Sequence, residues 1–325
     1  MNNGFSYKTE KTNKGYTVIS LISTPKTGKP MSAKVAPELG SNLFSLAYGS
    51  DEIIVYEKSL LEKRGFTGNF VLFPTPNRVR DYTYTWNGKQ TLLKKRGKVV
   101  EIHGLVFDEK WDFQTPRIQK QFVELTTSIT IHATSPLYSA FPFPCVLSLI
   151  YRLYKDKLHV QYTVKNTGTE PLPFGFALHP YFNRLSGDKD TYISVPAKSW
   201  MEAPPKTLLP TGKLVPVAGK PYDIRKPSPV GSLTLDHVFT DLSPGKFATI
   251  DYKKQKIRVT LKTSKEFTHV VVYTGHKKAI CIENQTCSTD AHNLWGRGLT
   301  DESHLLILQG SKSHAGFIAY EIASY

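Results

Sequence analysis

Apolar and polar residues alternate along most of this chain, and short breaks rich in Gly, Pro, Asn and Asp separate the alternating runs. A period of two marks a strand with one buried face. In residues 158–166, Leu158, Val160, Tyr162 and Val164 take one side while His159, Gln161 and Thr163 take the other, and Lys155, Asp156 and Lys157 make the preceding turn. Comparable runs occupy residues 16–23, 99–106, 121–133, 146–154, 174–179, 247–252, 256–262, 269–274, 279–283, 304–308 and 315–322. Helical period is almost absent; SLLEK at 59–63 is the one short candidate. The pattern predicts an all-β protein. Residues 203–229 hold seven prolines and read as an irregular surface excursion within the same unit.

Composition agrees with a globular reading: 325 residues, 40% hydrophobic, with 17 Tyr, 17 Phe and 4 Trp to fill a core. A single domain spanning 1–325 is expected, since large β-sandwiches run past the usual domain length. No basic stretch leads into an apolar one at the N-terminus, and no later segment approaches the roughly 18 apolar residues of a membrane span, so a cytoplasmic location is the expectation. Cys145, Cys281 and Cys287 show no framework or metal-ligand spacing and read as free thiols, with a 281–287 bridge left open. The formal charge of +15 would attract polyanions. Its clusters KKRGK (94–98), KKQK (253–256) and HKK (276–278) fall between strand runs, where hairpin tips are solvated, so neither a specific nucleic-acid partner nor a membrane partner is expected.

Reactive side chains concentrate in five segments. In GFALHPYFN (175–183), Phe174, Phe176 and Leu178 face one way, while Gly175, Ala177 and His179 face the other. Pro180 lacks an N–H, which predicts His179 at a strand end or just beyond it. In AICIENQT (279–286), Ile280 and Ile282 oppose Ala279, Cys281 and Glu283. Small neighbours leave room before both ionisable groups, and a buried glutamate needs an arginine, a histidine or a ligand beside it. Asn77 and Arg78 follow a Pro-Thr-Pro loop, ahead of a Tyr82, Tyr84, Trp86 strand closed by Asn87-Gly88; the arginine fork suits an oxygen-rich ligand or a nearby carboxylate. Val99, Glu101 and His103 share a face before Gly104, and Asp236 adjoins His237, where either group holds a ligand or caps a turn. The chain carries no metal signature, phosphate loop or Gly-x-Ser-x-Gly elbow. What is left suits acid/base handling of a polyol.

Across nearly its whole length the chain resembles the aldose 1-epimerase (galactose mutarotase) family. The matching features, in family order, are Pro-x-Pro-Asn-Arg at 74–78 with Trp86-Asn87-Gly88, His103-Gly104, His179-Pro180-Tyr181-Phe182-Asn183, Leu235-Asp236-His237, and Glu283-Asn284-Gln285-Thr286. The resemblance implies a large antiparallel β-sandwich, the galactose mutarotase-like supersandwich with few short helices, and an isomerase that interconverts α and β anomers of an aldohexose. It implies Glu283 as general base, His179 as general acid, and Arg78, His103, Asp236 and Asn77 as sugar ligands. It implies no cofactor, no metal, a small-molecule sugar as partner, and a monomer or homodimer. Asn284 stands where a proline is usual, and a second glycine after Gly104 is missing. In the implied chemistry Glu283 works ionised and His179 protonated, so activity falls on the acid side as the carboxylate protonates and on the alkaline side as the imidazole loses its proton. A hexose-6-phosphate 1-epimerase using Arg80, Arg184 or Arg225, and a noncatalytic sugar-binding sandwich, remain the alternatives.

Overall fold

The structure is a computed structural model and describes residues 4–325. Strands dominate, as the period-two pattern predicts, and three antiparallel sheets carry the architecture. The first has five strands in chain order, from Phe5–Lys11 through Thr17–Ser23, Met31–Ala36 and Asn42–Tyr48 to Asp51–Glu52. The ten-stranded sheet runs through Val123–Ile131, Cys145–Leu153, Lys157–Asn166, Ser313–Ser324, Ile257–Thr263 and Ala248–Tyr252, with shorter strands at both edges. The seven-stranded sheet is ordered Leu214–Pro216, Ala197–Met201, Asp236–Leu242, His269–Tyr273, Ala279–Gln285, Ala177–Asn183, Asn69–Leu72.

Alternation decides which face goes inward. In Cys145–Leu153 every odd-numbered residue is buried and every even-numbered one is partly exposed. The main apolar core joins all three sheets: Leu21 and Leu43 from the first, Leu147, Val160 and Tyr320 from the second, Val71, Phe182, Val270, Ile280 and Ile282 from the third. The basic clusters do sit at hairpins and loops, and SLLEK forms the helix Lys58–Glu62.

Two expectations fail locally. Residues 99–106 do not form a strand, because His103 (φ +68°) and Gly104 (φ +74°) both adopt left-handed backbone and break the extended run. The segment instead touches its neighbours through single bridges, Arg78 to Ile102 and Phe73 to Gly104. His179 does not end a strand either; Ala177–Asn183 continues through Pro180. Tyr181 N donates to Gly68 O, on the side of Asn69–Leu72, so the missing N–H of Pro180 points the other way, toward Ala279–Gln285. Pairing on that side lapses between Ala177 opposite Gln285 and Tyr181 opposite Cys281, which is how the sheet accommodates the proline. Among the described residues, no helix is long and apolar enough to cross a membrane.

Candidate active site

The seven-stranded sheet has an apolar face against the core and a polar face away from it. Ile280 and Ile282 are fully buried in that core. Slipping the strand by one residue would expose both and drive Cys281, Glu283 and Gln285 inward. At about 1.5–3 kcal/mol per buried Ile, the core therefore fixes the face on which Glu283 emerges. Pairing stays regular through Asn284 opposite Val270, so the residue standing in for proline leaves the strand intact.

The same register count puts His179 directly opposite Glu283. His179 Nε2 and Glu283 Oε1 are 3.1 Å apart, with only 6% and 2% of the two residues exposed. Phe70, across from His179 on the next strand, stacks on the imidazole at 4.6 Å and 17°, and Tyr181 stacks beside it at 5.0 Å and 22°. The edge of His103 completes the enclosure at 4.9 Å. Gln285, two residues on from Glu283 on the same face, donates from Nε2 to Glu283 Oε2 at 3.2 Å.

Burial sets the charge state of this pair. It pushes the Glu283 carboxyl well above the usual range, with the nearby Asp236 acting in the same direction and Gln285 and Arg78 opposing. It drives His179 down to about 3. Both groups favour their neutral forms, so the empty pair holds one proton between them, on the Glu283 side of the 3.1 Å contact.

Two loops and the start of a strand bring in the remaining predicted residues. Asn77, at φ +61°, turns its amide back: Oδ1 accepts from Arg78 N at 2.9 Å and from Arg78 Nη1 at 3.1 Å. Its carbonyl accepts from His103 N at 2.9 Å, which ties the arginine and histidine loops together. Asp290 clamps the same loop from behind, its N donating to Arg78 O and its Oδ1 accepting from Arg80 N, both at 2.9 Å. Gly104 packs so closely on Phe73 that a Cβ would lie 2.3 Å from the Phe73 carbonyl oxygen, so the left-handed turn that points His103 inward needs glycine here. Burial, then the charges of His179 and Arg78, hold His103 well below the usual imidazole range. Asp236 opens its strand opposite Tyr273, which lies opposite Cys281; burial raises its carboxyl and Arg78 opposes the rise.

The structure therefore brings Glu283, His179, Arg78, His103 and Asp236 together, while Asn77 is engaged in holding Arg78. His237 belongs elsewhere: its Nδ1 accepts from Asp236 N, and its ring packs on Trp200 and Tyr222. Sequence reasoning assigned no role to Phe70, Gln285 or Cys281, and it offered Tyr181 only as a sugar-stacking platform in the noncatalytic reading. Period two had already placed Cys281 on the glutamate's face, and the same count carried two residues on would have found Gln285, whereas Phe70 required the sheet order. Gly175 leaves no room for a ligand, because a Cβ there would meet Cys287 Sγ at 2.2 Å. All three cysteines are free and buried. A large surface cleft lies away from this constellation, lined by Trp86, Tyr138, Phe143 and Glu170, and it holds no paired acid and base.

Fold and site together define a class: an antiparallel supersandwich with an imidazole and a carboxylate one hydrogen bond apart on the polar face of a sheet. The chain belongs to the aldose 1-epimerase family, isomerases acting on carbohydrates; the family's sequence profile matches residues 24–304. The uncharacterized protein YihR of Escherichia coli K12 is 26% identical over 291 residues, which cover 86% of each chain. Galactose mutarotase of Sus scrofa is 28% identical over 179 residues, 54% of this chain and 49% of that protein. The solved structure of a galactose mutarotase-like protein from Clostridium acetobutylicum covers 100% of both chains at a TM-score of 0.85 and 22% identity. Galactose 1-epimerase from Lactobacillus acidophilus NCFM covers 98% of both at 0.79 and 17% identity. At these identities the two structures speak for the fold.

Proposed function

We propose that this protein is a 1-epimerase of unphosphorylated aldohexoses, interconverting α and β anomers by acid/base opening of the ring. The single observation that carries the reading is the 3.1 Å contact between His179 and Glu283. The two oxygens that exchange protons in mutarotation, the C1 hydroxyl and the ring oxygen, sit on one carbon. An acid and a base a hydrogen bond apart are therefore spaced to serve both.

Glu283 takes the proton of the C1 hydroxyl while His179 delivers one to the ring oxygen, the bond from C1 to the ring oxygen breaks, and an open-chain aldehyde forms. Rotation about C1–C2 presents the other carbonyl face, and the two groups reverse roles on closure. The pair begins and ends with the same single proton. Arg78 and His103 face charge developing on the ring oxygen, and Asp236 takes sugar hydroxyls. Sugar oxygens and Arg78 compensate the ionised carboxylate that burial alone disfavours.

The arginines nominated for a phosphate are already occupied, which favours unphosphorylated sugars. Arg184 donates to the carbonyls of Ala279, Thr274 and His276 and to Asp188. Arg225 forks onto Asp223, and Arg80 Nε stands 3.6 Å from Asp290. Polarimetry on freshly dissolved α-galactose, α-glucose and glucose 6-phosphate tests the proposal. Faster decay of rotation for the free sugars supports it; acceleration of the phosphate alone, or of none, overturns it.

A further inference from the structure

Beside the proton-transfer pair stands a group that the proposed chemistry does not use. Cys281 lies two residues before Glu283 on the same face of the same strand and is fully buried. One ligand atom each from His179, Cys281 and Glu283 lie within 4.8 Å of one another. We propose that these three side chains form a binding site for one thiophilic divalent cation of the zinc class, whose occupancy excludes the sugar.

The donor set selects the metal. A thiolate, an imidazole and a carboxylate together suit zinc or cobalt and disfavour magnesium or calcium, which take oxygen ligands. Three protein donors leave a fourth position for an exchangeable ligand, as in catalytic zinc sites. The spacing fits as well. Donors bound at about 2.0 Å around a tetrahedral zinc stand about 3.3 Å apart, and His179 Nε2 and Glu283 Oε1 already stand 3.1 Å apart. The two remaining sides of the triangle, both onto sulfur, are no longer than 4.8 Å, and closing each to the roughly 3.6 Å of a tetrahedral site takes a side-chain shift of about 1 Å.

Electrostatics also permits it. The metal displaces the shared proton and the thiol proton, and the resulting carboxylate and thiolate together neutralise the two positive charges in a buried place. Asp236 adds a third anion close by, since its charge acts on both Cys281 and Glu283. Arg78 is the opposing cation at Glu283. A metal so held occupies the electron pairs of the general base and the general acid at once, so metal and sugar compete. That competition rests on the proposed function; the site itself does not.

Cobalt makes the test spectroscopic. Chelator-treated protein titrated with Co2+ should bind one equivalent and develop a near-ultraviolet thiolate-to-cobalt charge-transfer band, which one equivalent of Zn2+ then bleaches. C281S, with C281A as a second variant, both checked for native circular dichroism, should lose that band. E283Q and H179A should each weaken binding at least about tenfold. Adding whichever sugar polarimetry shows to be turned over should raise the apparent Kd for Co2+ in proportion to sugar concentration. A wild-type protein that shows no thiolate band, or a band that survives in C281S and C281A, overturns the site. A band insensitive to a sugar that the enzyme does turn over overturns the competition. If no sugar is turned over, the band and its loss still decide the site.

Discussion

Two buried strand glutamates in this molecule have opposite surroundings. Glu124, 5% exposed on the ten-stranded sheet, is saturated: Oε1 accepts from Arg117 Nη2 at 2.6 Å and Oε2 from Arg152 Nε at 2.9 Å. Asp251 on the same sheet is likewise forked by Arg258 at 2.6 and 2.9 Å. Glu283, 2% exposed, has only one neutral amide and one imidazole beside it. Around it Gln285 Oε1, His103 Nδ1 and His179 Nδ1 are buried with no partner at all. An unmade buried hydrogen bond costs about 1–3 kcal/mol. A fold that satisfies one carboxylate fully and leaves another short is consistent with the second being completed by hydroxyl groups of a ligand. Saturated carboxylates hold sheets together; undersatisfied ones are free to exchange protons.

The sharpest way to break the contrast is to substitute both glutamates isosterically. Glu283→Gln, and His179→Ala beside it, should each lower kcat by about 10² or more, equivalent to about 2.7 kcal/mol in the barrier. The Tm of Glu283→Gln should hold or rise, because a buried acid has been removed. Glu124→Gln should do the reverse, losing about 1–3 kcal/mol in denaturant unfolding as Arg152 loses its charged partner, with kcat unchanged. Equal effects of the two substitutions on both readouts would erase the distinction.

Gln285 sharpens the comparison at smaller scale, since it supplies the only amide donor that Glu283 has among the described residues. Replacing Gln285 with Leu should cost about tenfold in kcat, the worth of one neutral hydrogen bond, with KM little changed. The carboxyl should also titrate higher, because the amide that lowers it is gone. An alkaline limb that stays in place would mean that Gln285 is mere packing.

The difference between the two glutamates was half readable in the chain. Alternation puts Glu283 opposite Ile280 and Ile282 without any structure, and HPYFN supplies the partner. What alternation lacks is strand order: that 177–183 lies beside 279–285, and 69–72 beside 177–183, is a long-range fact that no local pattern encodes. Hence the Phe70 and Tyr181 stack, and the depth of burial it imposes, went unforeseen. Pro180 misled for a related reason. Its local rule forbids a ladder hydrogen bond, but the sheet can leave one rung open on one side and carry on. His103 misled in the opposite sense, its alternating neighbours reading as strand where two left-handed residues build a turn. Glu124 gave no signal, because its arginines lie seven and 28 residues away on partner strands.

The smallest effect is the response to pH. From ordinary side-chain values, a working state with Glu283 ionised and His179 protonated would exist only between roughly pH 4.3 and 6.5. Burial widens that window at both ends. The second proton enters the pair only when His179 accepts it, and that imidazole is held down at about 3, so the acid limb moves to lower pH. The one shared proton leaves only when Glu283 gives it up, and that carboxyl is held up, so the alkaline limb moves to higher pH. Between the limbs the pair carries one proton, and which group holds it in the empty site leaves the pH dependence unchanged, because both forms contain the same number of protons. Polarimetric kcat/KM, corrected for buffer catalysis, should therefore hold a plateau wider than that window, with its acid limb below about pH 4.3 and its alkaline limb above about 6.5. A narrow bell with limbs near 4.3 and 6.5 would mean that water reaches the pair as freely as it reaches a surface carboxylate, and the contrast with Glu124 would lose its physical basis.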